Sequence, residues 1–298
     1  MRGIAAKTLK IVKKDTGDEI MLLDTPTEYL CGPWFGFYAA GGFHLFKNCD
    51  KEFPYTLMNL KAGNMVNRLT VEFHKTVPSD VKVLSETNGK VPSEANGEIK
   101  AQFFADVYYT KTELNCIFFY SIKNVCGIPF TNLRLFNLFD FDIGGLSSYD
   151  GDSAYFDKKY NAIVQNNGRV HVGFCSTGDF KVAHYAAGHP YELKIDAQHP
   201  SLNDVILEGP DDLFSGLEWS LGTLKPGEAR IIPVIMAAGE SRGEFDDNLQ
   251  KGIERAKGIL PELPRIISLP ERQQRISDGK IKQMYEKASK SSVKKEEC

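Results

Sequence analysis

The chain has 298 residues, and its 42% apolar and 25% charged residues are typical of a globular protein, not of a disordered or fibrous one. A formal net charge of −3 excludes the strongly basic character of most nucleic-acid-binding domains, so nucleic acid is not expected as a partner. Residues 1–14 contain several basic side chains between short apolar pieces. They predict neither a signal peptide nor a membrane span, and we expect a cytoplasmic protein with no membrane partner.

Period-two patterns dominate the chain up to about residue 240. In residues 68–77, Leu69, Val71 and Phe73 alternate with polar residues, which predicts a strand with one buried face. Residues 85–97 are polar and rich in Gly, Ser and Pro, which indicates a solvated loop. Further strands are predicted at residues 99–109, 114–125, 130–143, 155–165, 170–175, 180–185 and 191–195, in a meander without intervening helices.

A turn signal separates two further strand segments, residues 217–224 and 229–237. Between them lies Lys225-Pro226-Gly227-Glu228, in which Pro restricts φ at the first corner and Gly allows a positive φ at the second. We therefore predict a β-hairpin here. Because strands do not alternate with helices, the expected fold is mainly β: a large antiparallel two-sheet sandwich.

The periodicity changes at Ser241, which with Glu244 has the spacing of a helix capping box. Apolar residues then follow at helical spacing, so one C-terminal helix is expected to pack on a sheet until Pro261 and Pro264 end it. The predicted division is a β-sandwich domain at 1–240, a packing helix with a Pro-rich end at 241–264, and a charged polar tail at 265–298.

Three segments resemble a known family. They are residues 133–145 (LRLFNLFDFDIGG), 151–157 (GDSAYFD) and 217–228 (LEWSLGTLKPGE). They are similar to the galactose-mutarotase-like β-supersandwich domains, especially the N-terminal β domain of glucoamylase and glucodextranase-type glycosidases. The resemblance covers roughly residues 1–240 and implies a noncatalytic companion of a carbohydrate-active domain. The separate helical barrel that holds the catalytic residues of those enzymes has no counterpart in this sequence.

Clustered aspartates follow the predicted strand at 130–143. Asp140 and Asp142 are two residues apart, so both side chains should point to one face and could bind a ligand. Three more aspartates follow closely and are candidate calcium ligands, because Ca²⁺ prefers carboxylate and carbonyl oxygens. The alternatives are a carboxylate pair for acid and base chemistry on a sugar and ordinary turn chemistry. The candidate calcium ligands are Asp150, Asp152 and Asp157.

An aromatic, glycine-rich stretch at residues 32–42 contains Trp34. An exposed Trp34 could stack on a sugar ring, whereas a buried one would serve core packing. Both interpretations are open at this point.

Histidines offer a second candidate site. A mutarotase-like enzyme needs a histidine acid and a carboxylate base, for which His171, His184 and Glu218 are the candidates. Structural histidines are the alternative.

Three functions remain: a noncatalytic module binding carbohydrate or a protein partner, a mutarotase or epimerase-like sugar enzyme, and a structural or assembly protein. No sequence motif requires a cofactor. Calcium at the clustered aspartates is the one candidate ion.

Overall fold

The computed structural model describes residues 8–12, 19–24, 32–47, 55–58, 67–76, 98–109, 113–145, 148–189 and 193–263. Within these residues the protein is a sandwich of two antiparallel sheets with a small two-stranded sheet and a single α-helix, which confirms the predicted fold class. The predicted loop at 85–97 and the polar tail at 265–298 lie outside the described residues. In the described part of the chain, no helix has the length and apolarity needed to cross a membrane.

The larger sheet has eight strands, and its middle is rich in aromatic and β-branched residues that suit a pleated, buried surface. Its spatial order is β10 (Ser153–Asp157), β11 (Ala162–Asn166), β12 (His171–Cys175), β15 (Ala229–Gly239), β8 (Asn115–Asn124), β7 (Glu98–Tyr109), β6 (Asn67–Thr76) and β5 (Tyr55–Met58).

The smaller sheet has five strands and supplies the other half of the core. Its order is β13 (His184–Gly188), β14 (Phe214–Leu224), β9 (Phe130–Asp140), β3 (Gly32–Ala39) and β4 (Gly42–Phe46). A separate two-stranded sheet pairs β1 (Thr8–Val12) with β2 (Glu19–Asp24).

The main core lies between the two large sheets. Phe35 of β3 meets Phe103 of β7 edge to face, with ring centroids 4.9 Å apart, and Phe139 of β9 meets Phe174 of β12 in the same way at 5.3 Å. Such contacts bury large apolar areas and favour defined ring geometry. Aromatic pairs therefore join the two layers at two places in the core.

The turn at residues 225–228 forms as predicted, but the strands on either side of it do not pair. The N–H of Glu228 donates to the carbonyl of Lys225 at 3.0 Å, and Gly227 has a φ of 79°. However, β14 pairs with β9 and β15 pairs with β8 and β12, in different sheets. The hairpin prediction is wrong because a tight turn fixes the local reversal only, whereas pairing depends on which sheet each strand can bury its face against.

Other strand predictions in residues 155–195 also need correction. The expected strand at 155–165 is two strands, β10 and β11, joined by a turn in which Asn161 has a φ of 49°. The strand expected at 180–185 is shifted to β13, and residues 193–195 are not in a strand. The arrangement is not a simple meander, since β15 lies between β12 and β8.

The helix α1 (Arg242–Ile259) begins where the capping pattern predicts. The Ser241 side chain accepts a hydrogen bond from the Glu244 N–H at 3.2 Å, and the Glu244 carboxylate accepts one from the Glu240 N–H at 2.7 Å. The first bond satisfies an amide that a helix start leaves unpaired, and the second fixes the residue just before the cap. The apolar stripe of α1 packs on the outer face of the eight-stranded sheet; its buried members are Phe245, Leu249, Ile253, Ala256 and Ile259.

Candidate functional site

Strand register brings three aspartates together at one end of the five-stranded sheet. Asp140 ends β9 opposite Phe214, the first residue of β14. Continuing this antiparallel register by two residues sets Asp142 opposite Asp212, on the same face as Asp140. Carboxylate oxygens of Asp140, Asp142 and Asp212 accordingly lie within 4.8 Å of one another.

Asp152 approaches the same three carboxylates from a different part of the chain. It forms an isolated antiparallel bridge with Asp211, whose N–H donates to the Asp152 carbonyl at 3.0 Å. Its side chain is 0% exposed, and its Oδ2 accepts a hydrogen bond from the Ile143 N–H at 3.1 Å. We call Asp140, Asp142, Asp152 and Asp212 the acidic edge.

A glycine turn allows the chain to return to the acidic edge. Gly144 and Gly145 have φ values of 98° and 87°, a region that side-chain-bearing residues rarely adopt. The Gly145 N–H donates to the carbonyl of Asp142, and the Gly144 N–H donates to the carbonyl of Met21, both at 2.8 Å. The turn is thereby attached to β2, and the chain comes back to Asp152 eight residues after Gly144.

Burial and mutual repulsion disfavour the ionised form of these carboxyl groups. Loss of hydration, followed by the charges of Asp142, Asp212 and Asp152, raises the pKa of Asp140 to about 7. Burial is also the largest cause for Asp152, whose pKa rises to about 7 although its bond from the Ile143 N–H opposes the shift. The pKa of Asp212 is raised by burial and then by Asp211. Like charges this close favour a bound proton or a bound cation.

Two of the sequence-predicted calcium ligands do not join the acidic edge. Asp150 is exposed and is not one of the carboxylates whose oxygens converge in the described part of the chain. Asp157 is bound elsewhere: its Oδ2 contacts the Arg242 guanidinium, and its Oδ1 accepts from the Lys159 N–H at 2.7 Å. The predicted trio of Asp150, Asp152 and Asp157 is therefore not assembled, because the β10–β11 turn and the start of α1 use the Asp157 carboxylate.

Trp34 is 1% exposed and lies under a chain segment, so it offers no open stacking surface. It occupies the outer face of the five-stranded sheet beside Phe136 and Leu138, and the segment at 193–202 packs over this face. The Lys47 ammonium lies 4.6 Å from the Trp34 ring centroid. Core packing is the interpretation that this burial supports.

The histidine candidates lie in two different sheets. His184 is directly opposite Glu218 in the β13–β14 pair, so these side chains share the outer face of the five-stranded sheet. His184 Nδ1 is 2.8 Å from Asp204 Oδ2 in an exposed pair. His171 lies on β12 of the other sheet, where its ring centroid is 6.5 Å from that of Phe245. His171 and Glu218 therefore cannot form one acid–base pair.

Glu218 is engaged in holding the covering segment. It is 1% exposed, its Oε2 accepts from the Leu202 N–H at 2.9 Å, and its Oε1 lies 3.2 Å from Arg134 Nη1. The same Arg134 nitrogen donates to the Pro200 carbonyl at 2.6 Å. Burial raises the pKa of Glu218, opposed by its bond from Leu202 and by the charge of Arg134.

Sequence reasoning did not find Asp212 or Arg134. Asp212 is 70 residues from Asp142 in the chain, and only the β9–β14 register brings them together. Arg134 lies within the strand predicted at 130–143, where the residue two positions before Phe136 shares its face. The signal for Arg134 in the sequence was its charge, because a charged residue is unusual on a strand face that is expected to be buried.

No family model matches the chain. Among solved structures, a bacterial glucoamylase complexed with acarbose superposes with a TM-score of 0.53 at 9% identity, over 76% of this chain and 29% of that one. A GalM/aldose epimerase homologue from C. elegans gives 0.42 at 7% identity, over 80% and 93%. A putative kojibiose phosphorylase from the human microbiome gives 0.45 at 9% identity, over 96% and 31%.

The chain thus spans less than a third of the glucoamylase whose fold it shares. At this identity the likeness establishes the fold and not the activity. The two stacked antiparallel sheets and this superposition agree with the fold implied by the resemblance at residues 133–145, 151–157 and 217–228. The described residues form the stacked antiparallel two-sheet fold of the superposed part of the glucoamylase, in agreement with the β-supersandwich that the sequence resemblance implies.

Proposed function

We propose that this chain is a noncatalytic β-sandwich module that binds carbohydrate at the acidic edge. The observation that carries the proposal is the convergence of Asp140, Asp142 and Asp212, whose oxygens lie within 4.8 Å of one another. Asp140 and Asp212 are partly exposed, so a ligand can reach them. Carboxyl groups accept hydrogen bonds and, when protonated, also donate them, and neighbouring sugar hydroxyls are matching partners in both roles.

The spacing of the acidic edge supports binding more than hydrolysis. Glycosidases place their two carboxyl groups roughly 5–5.5 Å or 6.5–9.5 Å apart, so that a glycosidic bond lies between them. One oxygen from each of Asp140, Asp142 and Asp212 lies within 4.8 Å of the other two, which is closer than either separation. They also lie on one face, so they approach a ligand from the same side.

The state of Glu218 supports a noncatalytic role for the outer face. An acid–base pair must reach the substrate with a free proton-accepting atom. Both Glu218 oxygens already accept hydrogen bonds from the Leu202 N–H and from Arg134, and the side chain is 1% exposed. This carboxylate stabilises the covering segment at 193–202.

The fold comparison also supports carbohydrate as the ligand class. The glucoamylase that superposes with a TM-score of 0.53 was solved with acarbose, and this fold makes up part of it. We extend the ligand class of that protein to this chain, and not its hydrolytic activity.

The test is a glycan array followed by calorimetric titration of the sugars that bind. The Asp140→Asn/Asp142→Asn variant should lose binding, because amides are weaker acceptors than carboxylates. Asp179→Asn, which changes an exposed aspartate between β12 and β13, should bind as the wild type does. If no sugar binds or raises the melting temperature, or if the double variant binds normally, the proposal is wrong.

One observation favours a second candidate, a mutarotase-like enzyme: His184 lies directly opposite Glu218. Polarimetry of fresh aldose solutions measures this activity directly. Accelerated mutarotation that both His184→Asn and Glu218→Gln abolish would replace the binding-module proposal. An unchanged rate eliminates the enzyme.

A further inference from the structure

The acidic edge contains a buried carboxylate oxygen whose hydrogen-bonding capacity is not used. Asp152 is 0% exposed, and its Oδ1 has no hydrogen-bond partner among the residues that the structure describes. Asp140 Oδ1 is likewise buried and has no partner in the described part of the chain. A buried polar atom without a partner costs free energy, and for a charged group the cost is larger.

The backbone contacts of Asp152 hold it beside the other three carboxylates: its Oδ2 accepts from the Ile143 N–H, next to Asp142, and its main chain bridges to Asp211, next to Asp212. Asp152 is close enough to Asp142 and Asp212 for their charges to raise its pKa, and its own charge raises that of Asp140. The neighbouring side chains Asp150 and Asp211 add further negative charge at Asp212, which His189 only partly offsets. A cation would supply the missing partner and relieve the repulsion in one step.

We propose that Asp140, Asp142, Asp152 and Asp212 form a binding site for a divalent cation, with Ca²⁺ as its ion. Asp140, Asp142 and Asp212 each offer one oxygen, and Asp152 offers the buried Oδ1. This goes beyond carbohydrate binding, since the cation can bind whether or not a sugar does. It also replaces the aspartate trio expected from the sequence.

Ligand type and tolerance of irregular coordination favour calcium. An all-oxygen site suits Mg²⁺, Ca²⁺ or Mn²⁺ and disfavours zinc and copper, which prefer nitrogen and sulfur ligands. Calcium–oxygen distances of roughly 2.3–2.6 Å allow ligand oxygens almost 5 Å apart to share one ion, whereas Mg²⁺ requires about 2.0–2.1 Å in a strict octahedron. One oxygen from each of Asp140, Asp142 and Asp212, all within 4.8 Å of one another, can therefore contact one Ca²⁺.

The experiment is calorimetric titration of the full 298-residue chain with CaCl₂ after treatment with chelator, without sugar, beside melting curves. We expect one Ca²⁺ per chain and a rise in melting temperature. Asp152→Asn should lower the affinity about 10- to 100-fold, the range seen when groups that support a metal site are altered. Asp140→Asn, at a partly exposed position, is the second variant if Asp152→Asn does not fold.

Asp179→Asn and Asp157→Asn are the matched controls, and both should bind Ca²⁺ with wild-type affinity. Absence of Ca²⁺ binding by the wild type, or wild-type affinity in both Asp152→Asn and Asp140→Asn, overturns the proposal. Equal affinity for Mg²⁺ overturns the assignment to calcium. The titration contains no sugar, so a negative result refutes calcium binding and leaves the carbohydrate proposal standing. Calcium binding together with a glycan array on which no sugar binds would refute only the carbohydrate proposal.

Discussion

The carboxylate of Glu218 accepts a hydrogen bond from the backbone N–H of Leu202 at 2.9 Å, which joins strand β14 to the segment covering its outer face. Arg134 reinforces this connection through Glu218 Oε1 and the Pro200 carbonyl. Leu202 is buried beside Trp34 and Phe136. An ionic and hydrogen-bonded clamp therefore holds an apolar cover on the sheet.

Glu218→Ala is expected to destabilise the protein by about 3 kcal/mol, since it leaves the Leu202 N–H and Arg134 without their acceptor. Glu218→Gln should cost less, because an amide oxygen still accepts from Leu202. Urea unfolding measures both. Glu208→Gln, at an exposed glutamate, is the control and should be neutral. Equal stability of Glu218→Ala and wild type would contradict the clamp.

The stability of the metal-free protein should fall as pH rises from about 5 to about 8. The pKa of Asp140 and Asp152 is about 7 in the folded chain, against roughly 3.9 for an unfolded aspartate. In this window the folded state holds more protons than the unfolded state, so unfolding releases protons and becomes easier with increasing pH. Below about pH 4 both states are protonated and the effect disappears.

Melting curves at several pH values in chelator measure this dependence. Asp140→Asn and Asp152→Asn should each flatten it and raise the melting temperature at pH 8, because each removes one repelling charge. Asp179→Asn should retain the wild-type slope. A wild-type melting temperature that rises between pH 5 and 8, with both variants following it, would contradict the assigned pKa directions.

Arg242 links the first turn of α1 to β10. Its guanidinium contacts Tyr155 Oη and Asp157 Oδ2, and its Nε donates to Asp246 at 2.8 Å. A double-mutant cycle of Arg242→Ala and Asp157→Asn should give a coupling free energy of about 1–2 kcal/mol, because Asp157 is buried and Arg242 is only partly exposed. The cycle Arg169→Ala with Glu240→Gln, a more exposed pair, should give less. A coupling near zero for Arg242 would refute the link.

Gly216 lies where the outer face of β14 meets its cover. A methyl group there would approach Leu138 Cδ2 to 2.5 Å and Leu202 Cδ1 to 3.3 Å. Gly216→Ala is therefore expected to destabilise the chain by about 1–3 kcal/mol through overpacking. Gly178→Ala, where no atom lies within 4 Å of the added carbon, should be tolerated. Thermal unfolding distinguishes them, and equal melting temperatures would show that the cover is not closely packed.

Ser241→Ala should cost about 1 kcal/mol by removing the cap on the Glu244 N–H. Urea denaturation of this variant, beside Ser220→Ala at an exposed strand position, checks the value. Loss of stability in Ser220→Ala as large as in Ser241→Ala would show that the effect is not one of capping.

Structural features that depend on residues close together in the chain were predictable from the sequence. Leu69, Val71 and Phe73 lie in β6, Ser241 caps α1, and the turn after Leu224 has its expected glycine conformation. Each depends on residues a few positions apart, whose propensities and hydrogen bonds act locally. By contrast, β3 is buried on both faces, so it lacks the polar alternation that would have identified it.

Contacts and strand pairing between segments far apart in sequence could not be predicted from local patterns. The sequence established the β-rich sandwich, the helix and the aspartates after β9, and it indicated that Asp140 and Asp142 share a face. Only the tertiary structure decided that Asp212 completes the acidic edge, that Arg242 takes Asp157, and that β14 and β15 enter different sheets. The reason is that strand register is selected by the burial of whole faces across the sandwich, which no local pattern encodes.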